Sequence, residues 1–507
     1  MPQYSTPGSY VSESTLSSLT AATNGLSAAA FFGTAERGPT TATLINDWTS
    51  YKSLYGELDN AYDLGYAVYH YFQNGGRAAY VNRVVDTTAT VAVYTDHPYY
   101  PNGTGQASAA LFDVDAISAG TWGNSITVQT IAGSVASTAT TIGTFTLIVS
   151  LAGVEVERWI DLTPDANGNR YVEAVINNYS SFIRVSDVAT VVVDASLAYY
   201  TTAVAALGAI EGTVGDTDYS TALVNLDLIE GNLVLNAVGQ TSSTVITAFI
   251  SKAQSRGDSF VIIDPDASDL TLSEIQATAA NFASLSGGGY AAHYAPMLIM
   301  KDPAKTGSAA IRNTYPGGAV AGLMVRTEVE RTVAKAPAGF EADIRNALGL
   351  VVKVTDAQIG TLYDGTPQVN SFKAITGAGV VTWGARTLET STPDKFIPVR
   401  RTLNYLKANL KDITQFAVFE PNDERLWTAI NMTVSGFLSD FWRNGGLAGG
   451  RASDAFFVLC DSTNNTTATI DQGEVHVQVG VALQYPAEYI IINLSQWSGG
   501  AEAVESL

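Results

Sequence analysis

Asp264 and Asp266 are the side chains of this sequence best placed to do chemistry. They close the apolar run FVIIDPDASD, and carboxylates at the C-terminal end of a strand are where many α/β proteins hold a metal ion or a substrate. A nucleotide site built around them would also need a glycine-rich loop opening a helix. No GxxxxGKS or GxxxxGKT pattern occurs, and the isolated Gly377-Ala378-Gly379 is too weak to replace one. Loop capping by aspartate after a strand explains the pair more simply. His70, His97, His293 and His476 fall in four separate segments with no HExxH spacing, so each reads as a structural or surface histidine. No GxSxG elbow presents a serine nucleophile. Cys460, the single cysteine, sits in apolar AFFVLCD and reads as a buried, inert thiol; alone it excludes an intrachain disulfide and a multi-cysteine zinc site. The expectation is a chain with no catalytic, cofactor or metal site, and a metal- or nucleotide-dependent enzyme using Asp264 and Asp266 is the distant alternative.

A different feature points to binding. Arg400, Asn404, Lys407 and Lys411 recur at helical steps, and Lys395 to Lys411 holds five basic residues and no acidic one. The whole chain carries a formal net charge of −21. A solvated helix face is the usual origin of such a stripe, yet a local reversal of sign against a large opposite charge suits an acidic partner. The same acidic balance argues against direct nucleic-acid binding, which needs concentrated Lys and Arg. No uninterrupted apolar run reaches membrane length, and no charged-then-apolar leader opens the chain. With 507 residues there is room for two to four domains, and a charged fraction of 15% leaves much polar-neutral surface for subunit contacts.

The elements that must position these residues can be read from periodicity. Residues 1–27, rich in Ser, Thr and Ala with one extended signal at Ser9 to Val11, read either as an arm that orders on another sheet or as a frayed terminus. Residues 28–86 read strand, loop, helix, strand, with Leu64, Val68, Tyr71 and Phe72 on the apolar side of the helix. Residues 87–199 turn Thr-, Val- and Gly-rich, the composition of an inserted, mainly β domain with one helix near Arg170 to Asn177. Strand and helix alternate again over 200–370, through NLVLNAV, SFVIID and APMLIM with helices at Tyr219 to Ile229, Ser242 to Arg256 and Ser273 to Ser284, giving a central α/β domain interrupted by the insert.

Residues 371–487 predict an α+β domain: a helix from about Val399 to Asp412 with Leu403, Leu406, Leu410 and Ile413 inward, a second helix, then strands AFFVLC, EVHVQVGVAL and EYIIINL. In the second helix Trp427, Ile430, Val434, Phe437 and Phe441 share a face, Pro421 closes a preceding strand, Asn422 caps, and Gly445-Gly446 stops it. The whole is an α+β and α/β multidomain chain.

FAVFEPNDERLWTAINMTVSGFLSDFWRNGGLAGG (Phe416 to Gly450) followed by AFFVLCDSTNNT (Ala455 to Thr466) closely resembles the C-terminal domain of contractile tail sheath proteins of bacteriophages and related injection machines. TPGSYVSE, AFFGTAERGPT, YFQNGGRAAYVNRV, GTWGNS, YSTALVNLDLIEGNLVLNAVG, YPGGAVAGLMVRTEVERTVAKAPA and GVVTWGARTLE also resemble segments of that family, in the expected order.

That resemblance implies a structural subunit that polymerises as hexameric rings stacked helically around a tail tube and contracts to drive the tube through a target envelope. The alternative is the sheath of a phage-like extracellular injection or secretion system. Implied partners are other copies of the chain, the tail tube protein, and baseplate and tail terminator proteins, with neither direct nucleic-acid contact nor membrane insertion. The implied location is the virion tail, assembled in the host cytoplasm, and the energy comes from two packings of one folded subunit, without a cofactor. Carried onto this sequence, the resemblance makes residues 1–27 an N-terminal arm and 488–507 a C-terminal arm, and it places intersubunit strand addition at Ser9, Tyr10, Val11 and at Tyr489, Ile490, Ile491, Ile492, Asn493, and tube docking at Arg400, Lys407 and Lys411.

Overall fold

The computed structural model describes residues 27–94, 112–136, 143–186, 188, 208–307, 310–391 and 393–492, with the strand pairing of 98–99, 109–110 and 204–205. Ser9, Tyr10, Val11, His97 and Asn493 lie outside the described residues.

The apolar run AAAFFG forms β1 (Ala28–Gly33), an interior strand of a seven-stranded sheet. Its other strands are β2 (Thr43–Ile45), β3 (Ala79–Arg83), β4 (Leu233–Ala237), β5 (Ser259–Ile263), β6 (Ala291–Tyr294) and β7 (Val369–Asn370), in the spatial order β7-β6-β5-β4-β1-β3-β2. All pairings are parallel except β2 with β3. Such a sheet is buried on both faces, which is why β1 reads as a continuous apolar run and not as an alternation. Ala29 and Phe31 face one core cluster, Ala30 and Phe32 the other.

On the first face lie α1 (Asp63–Gln73) and, further along the chain, α3 (Gly317–Glu330); on the second lies α2 (Ser243–Arg256). The glycines of α3 have a packing reason. A methyl group added at Gly318 or Gly322 would run into the backbone carbonyls of Ala67 and Tyr71 on α1. Glycine lets the two helices touch backbone to backbone, and any larger residue would force them apart.

The inserted unit has its own core, running from Ala92 to Ala209 and built on strands Ile126–Ala132, Phe145–Leu151 and Val154–Leu162 with the helix Val172–Tyr179 packed beside them. Arg83, at the end of β3 and 1% exposed, buckles this unit to the sheet. Its guanidinium donates to the carbonyls of Ala35, Glu36 and Ala119 and lies 3.8 Å from Glu211.

The C-terminal core starts inside a helix. In α4 (Ile397–Ile413), Ile397 packs with the central cluster while Leu406 and Ile413 pack with α5 (Glu424–Arg443). The hairpin Phe372–Thr382, which follows the expected domain boundary at 371, contributes Phe372 and Val380 to the central cluster. Thus α4 is shared between two cores, with its first turns in one and its last turns in the other. The five apolar residues expected on one face of α5 are all buried. Two local expectations are corrected. No strand precedes α5, since residues 415–420 form a short 3₁₀ turn and a loop. Asp423, not Asn422, caps α5 by accepting from the Arg425 and Leu426 N–H groups, while Asn422 binds the Trp427 indole and the Glu474 carbonyl. The stop is as read: Gly445 is left-handed (φ 78°), and the Phe441 ring leaves no room for a side chain at Gly446.

Of the three expected C-terminal strands, two form a sheet: β8 (Phe456–Leu459) with β9 (Gln478–Val481). Along the expected strand Val475, Val477, Val479 and Val481 pack against the C-terminal core while Glu474, His476 and Gln478 are exposed; Phe457 lies over Gly480 alone. EYIIINL has no strand partner over its described residues, and Ile490, Ile491 and Ile492 are more than 80% exposed.

Candidate functional site at the roots of the two arms

The described chain begins at Ser27, which is only 3% exposed and is where the N-terminal arm expected from the sequence would join the body. Its backbone N–H donates to Glu328 at 3.2 Å and its hydroxyl to the same carboxylate at 2.6 Å. Arg401 of α4 donates to Glu328 at 2.8 Å and to the Ser27 hydroxyl at 3.1 Å, and Asn232 donates to that hydroxyl at 2.8 Å. Each element supplies one part: α3 brings Glu328 on its last turn, α4 brings Arg401 near its start, and β1 carries Ser27 into the sheet. Both charges are nearly sealed from solvent, the side chains of Arg401 and Glu328 being 2% and 4% exposed. Removing one partner of such a pair strands the other, at a cost of about 3–5 kcal/mol.

The C-terminal arm is rooted on a second arginine. After β9 the chain crosses back toward the central unit, with Tyr485 edge-on to Phe396. Glu488 accepts from Arg386 Nη2 at 2.6 Å and Nε at 3.1 Å, and also from the Tyr363 hydroxyl. Arg386 further pairs with Asp364 at 3.1 Å, stacks 3.8 Å over the Tyr363 ring, and donates to the Tyr489 hydroxyl. Burial alone pulls its guanidinium down, but the Glu488 hydrogen bonds and neighbouring negative charge outweigh that and hold it above the usual arginine range. Asn370 brackets the Arg386 backbone from both sides. Beyond Tyr489 the described chain is free of the body and strongly apolar.

The basic stripe on α4 runs along the central unit. Arg400 is 7% exposed, ion-paired with Asp394, and stacked on Tyr290. Asn404 donates to the Ser259 carbonyl at 2.8 Å. Lys407 is exposed beside Gly257, and Lys411 meets Glu230 at 3.2 Å with both side chains at least 70% exposed. Arg400 is therefore engaged inside the subunit, because its position on the first turns of α4 faces the central core. Lys407 and Lys411 are the members of the stripe that reach solvent.

Asp264 and Asp266 are brought to one loop but do different work. Asp264 is fully buried and accepts from Gly317 N–H at 2.7 Å, Asn236 Nδ2 at 3.0 Å and Gly239 N–H at 3.1 Å, tying β5 to the start of α3. Burial pushes its carboxyl up to about 6 despite those three donors. Asp266 accepts from Ser268 and Thr241, which hold it below the usual range. A cavity of about 210 Å³ opens nearby over the ends of β1 and β4, lined by Thr34, Asp63, Gln240 and Tyr315. Asp63 there is paired with Arg312 at 2.6 Å. Among the described residues no three His, Cys, Asp or Glu converge as a metal site would require. His70 and His293 are buried and held down to about 4 by desolvation; His476 is exposed beside Glu474; Cys460 is 4% exposed, and burial pushes its thiol up.

Residues 389–496, which include all of α4, all of α5 and both strands of the C-terminal sheet, match the phage tail sheath C-terminal domain family. This unit is similar to the C-terminal domain of phage tail sheath proteins. That match accounts for one end of the chain; curated relatives and solved structures extend the likeness. The tail sheath protein of Enterobacteria phage T4 is 30% identical over 186 residues, and that of Vibrio phage KVP40 is 29% identical over 191. These stretches cover 36% and 37% of this chain but only 27% of either relative. In fold the likeness covers nearly everything. The contracted sheath of the extracellular contractile injection system PVC superposes with a TM-score of 0.55 at 21% identity, over 98% of this chain and 99% of its own. The contracted helical sheath of the anti-feeding prophage gives 0.57 at 19% identity over 97% and 100%. A sheath tail protein from Listeria innocua gives 0.59 at 14% identity over 90% and 95%. The chain thus has the mixed, multidomain fold of sheath proteins, and the family resemblance carried by its sequence motifs holds.

The residues at the two arm roots were not singled out by sequence. Glu328 and Arg386 lie inside two of the quoted family segments, but nothing in their spacing announces that they meet Ser27 and Glu488. Glu328 shares the end of its helix with Arg326 and Glu330, so its charge alone does not set it apart.

Proposed function

We propose that this chain is the structural subunit of a contractile tail sheath, polymerising as hexameric rings stacked helically around a tail tube and contracting to drive the tube through a target envelope. The observation that carries the reading is the C-terminal arm. Three consecutive isoleucines, each more than 80% exposed, follow a firmly held root and have no partner within the described chain. A β-prone apolar strand of this kind is suited to adding onto a neighbour's sheet, where backbone hydrogen bonds provide affinity. The two-stranded β8–β9 sheet has no third strand among the described residues, which leaves its edges open to receive one. Residues 9–11 of the N-terminal arm are proposed to donate in the same way.

On this reading the partners are further copies of the chain, a tail tube protein, baseplate proteins and a tail terminator, and the subunit folds in the host cytoplasm before joining the virion tail. Lys407 and Lys411 are the proposed tube contacts on α4. A phage-like injection system would use the same fold, and neighbouring genes for a capsid and terminase distinguish the two. Deleting residues 1–12, or residues 490–507, should leave the folded body intact and abolish polymerisation; polymers of ordinary length from either truncation would refute strand exchange through that arm.

A further inference from the structure

Both arm roots are fastened to the same short stretch of chain. Arg386 holds the C-terminal root, Arg401 holds the N-terminal root, and between them the chain closes on itself: Arg386 bridges Phe396, Thr387 N–H donates to Lys395, and Ile397 N–H donates to Ala385. This closed loop opens directly into α4, the helix shared by the central and C-terminal cores.

A buried ion pair is a poor source of net stability, since apolar side chains of similar volume often do as well. What a guanidinium supplies is direction: a rigid fork of donors that fixes carboxylate and hydroxyl partners in one orientation. At Ser27 the grip includes both the hydroxyl and, through Glu328, the backbone N–H of the first described residue. At Glu488 it is made through two nitrogens of one arginine.

We propose that Arg386 and Arg401 are the positioning residues of the two arms, tying both exits to the start of α4 so that displacement of an arm by a neighbouring subunit is delivered to the joint between the cores. The inference rests on the sheath reading and names the residues through which its strand exchange acts. Arg326 provides a control. It is also buried and paired, with Asp343 at 3.0 Å, but neither of these residues contacts Ser27 or Glu488.

The test uses the full chain with Arg401→Met, Arg386→Met and Arg326→Met, comparing monomer melting temperature with the concentration at which polymers pellet. Arg401→Met and Arg386→Met should raise that concentration about tenfold or more over Arg326→Met at equal loss of melting temperature, with Arg401→Lys recovering part of the difference. Equal assembly by all three at matched stability overturns the proposal. If Arg401→Met fails to fold, Ser27→Ala and Arg401→Lys take its place in the same comparison. If the wild-type chain forms no polymer even with tube protein, the sheath reading fails separately. Limited proteolysis then decides the anchoring: the anchor predicts faster cleavage at residues 27–33 in Arg401→Lys, and unchanged protection overturns it.

Discussion

The two arm roots use the same chemistry in different settings. Both rest on an arginine that grips a glutamate, yet the N-terminal root is sealed within the body and the C-terminal root lies on its side. The side chain of Glu488 is 15% exposed and that of Asp364 69%, against 4% for Glu328. Moreover the residue after Ser27 already pairs with β4, so this root is continuous with the central sheet. The C-terminal root is held through side chains, and its isoleucines have left the surface. The difference teaches that the N-terminal exit should open only when the core opens, whereas the C-terminal exit can be released alone, from the low end of the stability range.

The largest effect should come from breaking the sealed root. Glu328→Ala leaves Arg401 buried without its carboxylate and should cost about 3–5 kcal/mol, read as a lowered denaturation midpoint in urea. Next, Glu488→Gln keeps shape but removes the charge at the outer root; a loss of about 1.5–3 kcal/mol in local opening is expected, seen as faster hydrogen exchange in residues 484–489 with the β1 amides unchanged. If β1 exchange rises equally, the roots are not independent and the comparison breaks.

Acid offers a way to reach the sealed root through the core. His70 and His293 are held near 4, below the ordinary 6.5, so their contribution is fully present above pH 6.5 and is lost as pH falls through about 4. Asp264 has the opposite sign: raised from 3.8 to about 6, it contributes fully below about 3.8 and loses that contribution as pH rises through 6. Two histidines against one aspartate leave a net loss on acidification. Melting temperature should fall between pH 6.5 and 4, less steeply in His70→Gln, and cleavage at residues 27–33 should track that melt. The smallest effect is expected from Lys407→Glu with Lys411→Glu, which should change monomer stability by under about 1 kcal/mol because both side chains are exposed. Tube binding in a pull-down should fall all the same, and retention of it would leave the stripe as a solvated edge of the interdomain contact.

The sequence made regular elements legible where one period governed them. AAAFFG announced a strand, and the spacing from Trp427 to Phe441 placed the face of α5 correctly. It was less informative where tertiary contacts decide. The Arg400 stripe reads like a solvent face, but its first members turn toward Tyr290 and Ser259, which come from distant parts of the chain. Asp264 looked like a strand-end ligand and is a buried tie between β5 and α3, made by donors more than twenty residues away on either side. The arm roots were hidden for the same reason. Ser27 and Arg401 meet only because α4 packs under the sheet, and no local spacing encodes a contact that the fold itself creates.

The most direct measurement is electron microscopy of the purified full-length protein, alone and with tube protein, over a range of concentration and salt. Hollow striated tubes or six-fold rings are predicted. Monomers under every condition, including with tube and baseplate proteins present, would contradict the sheath account.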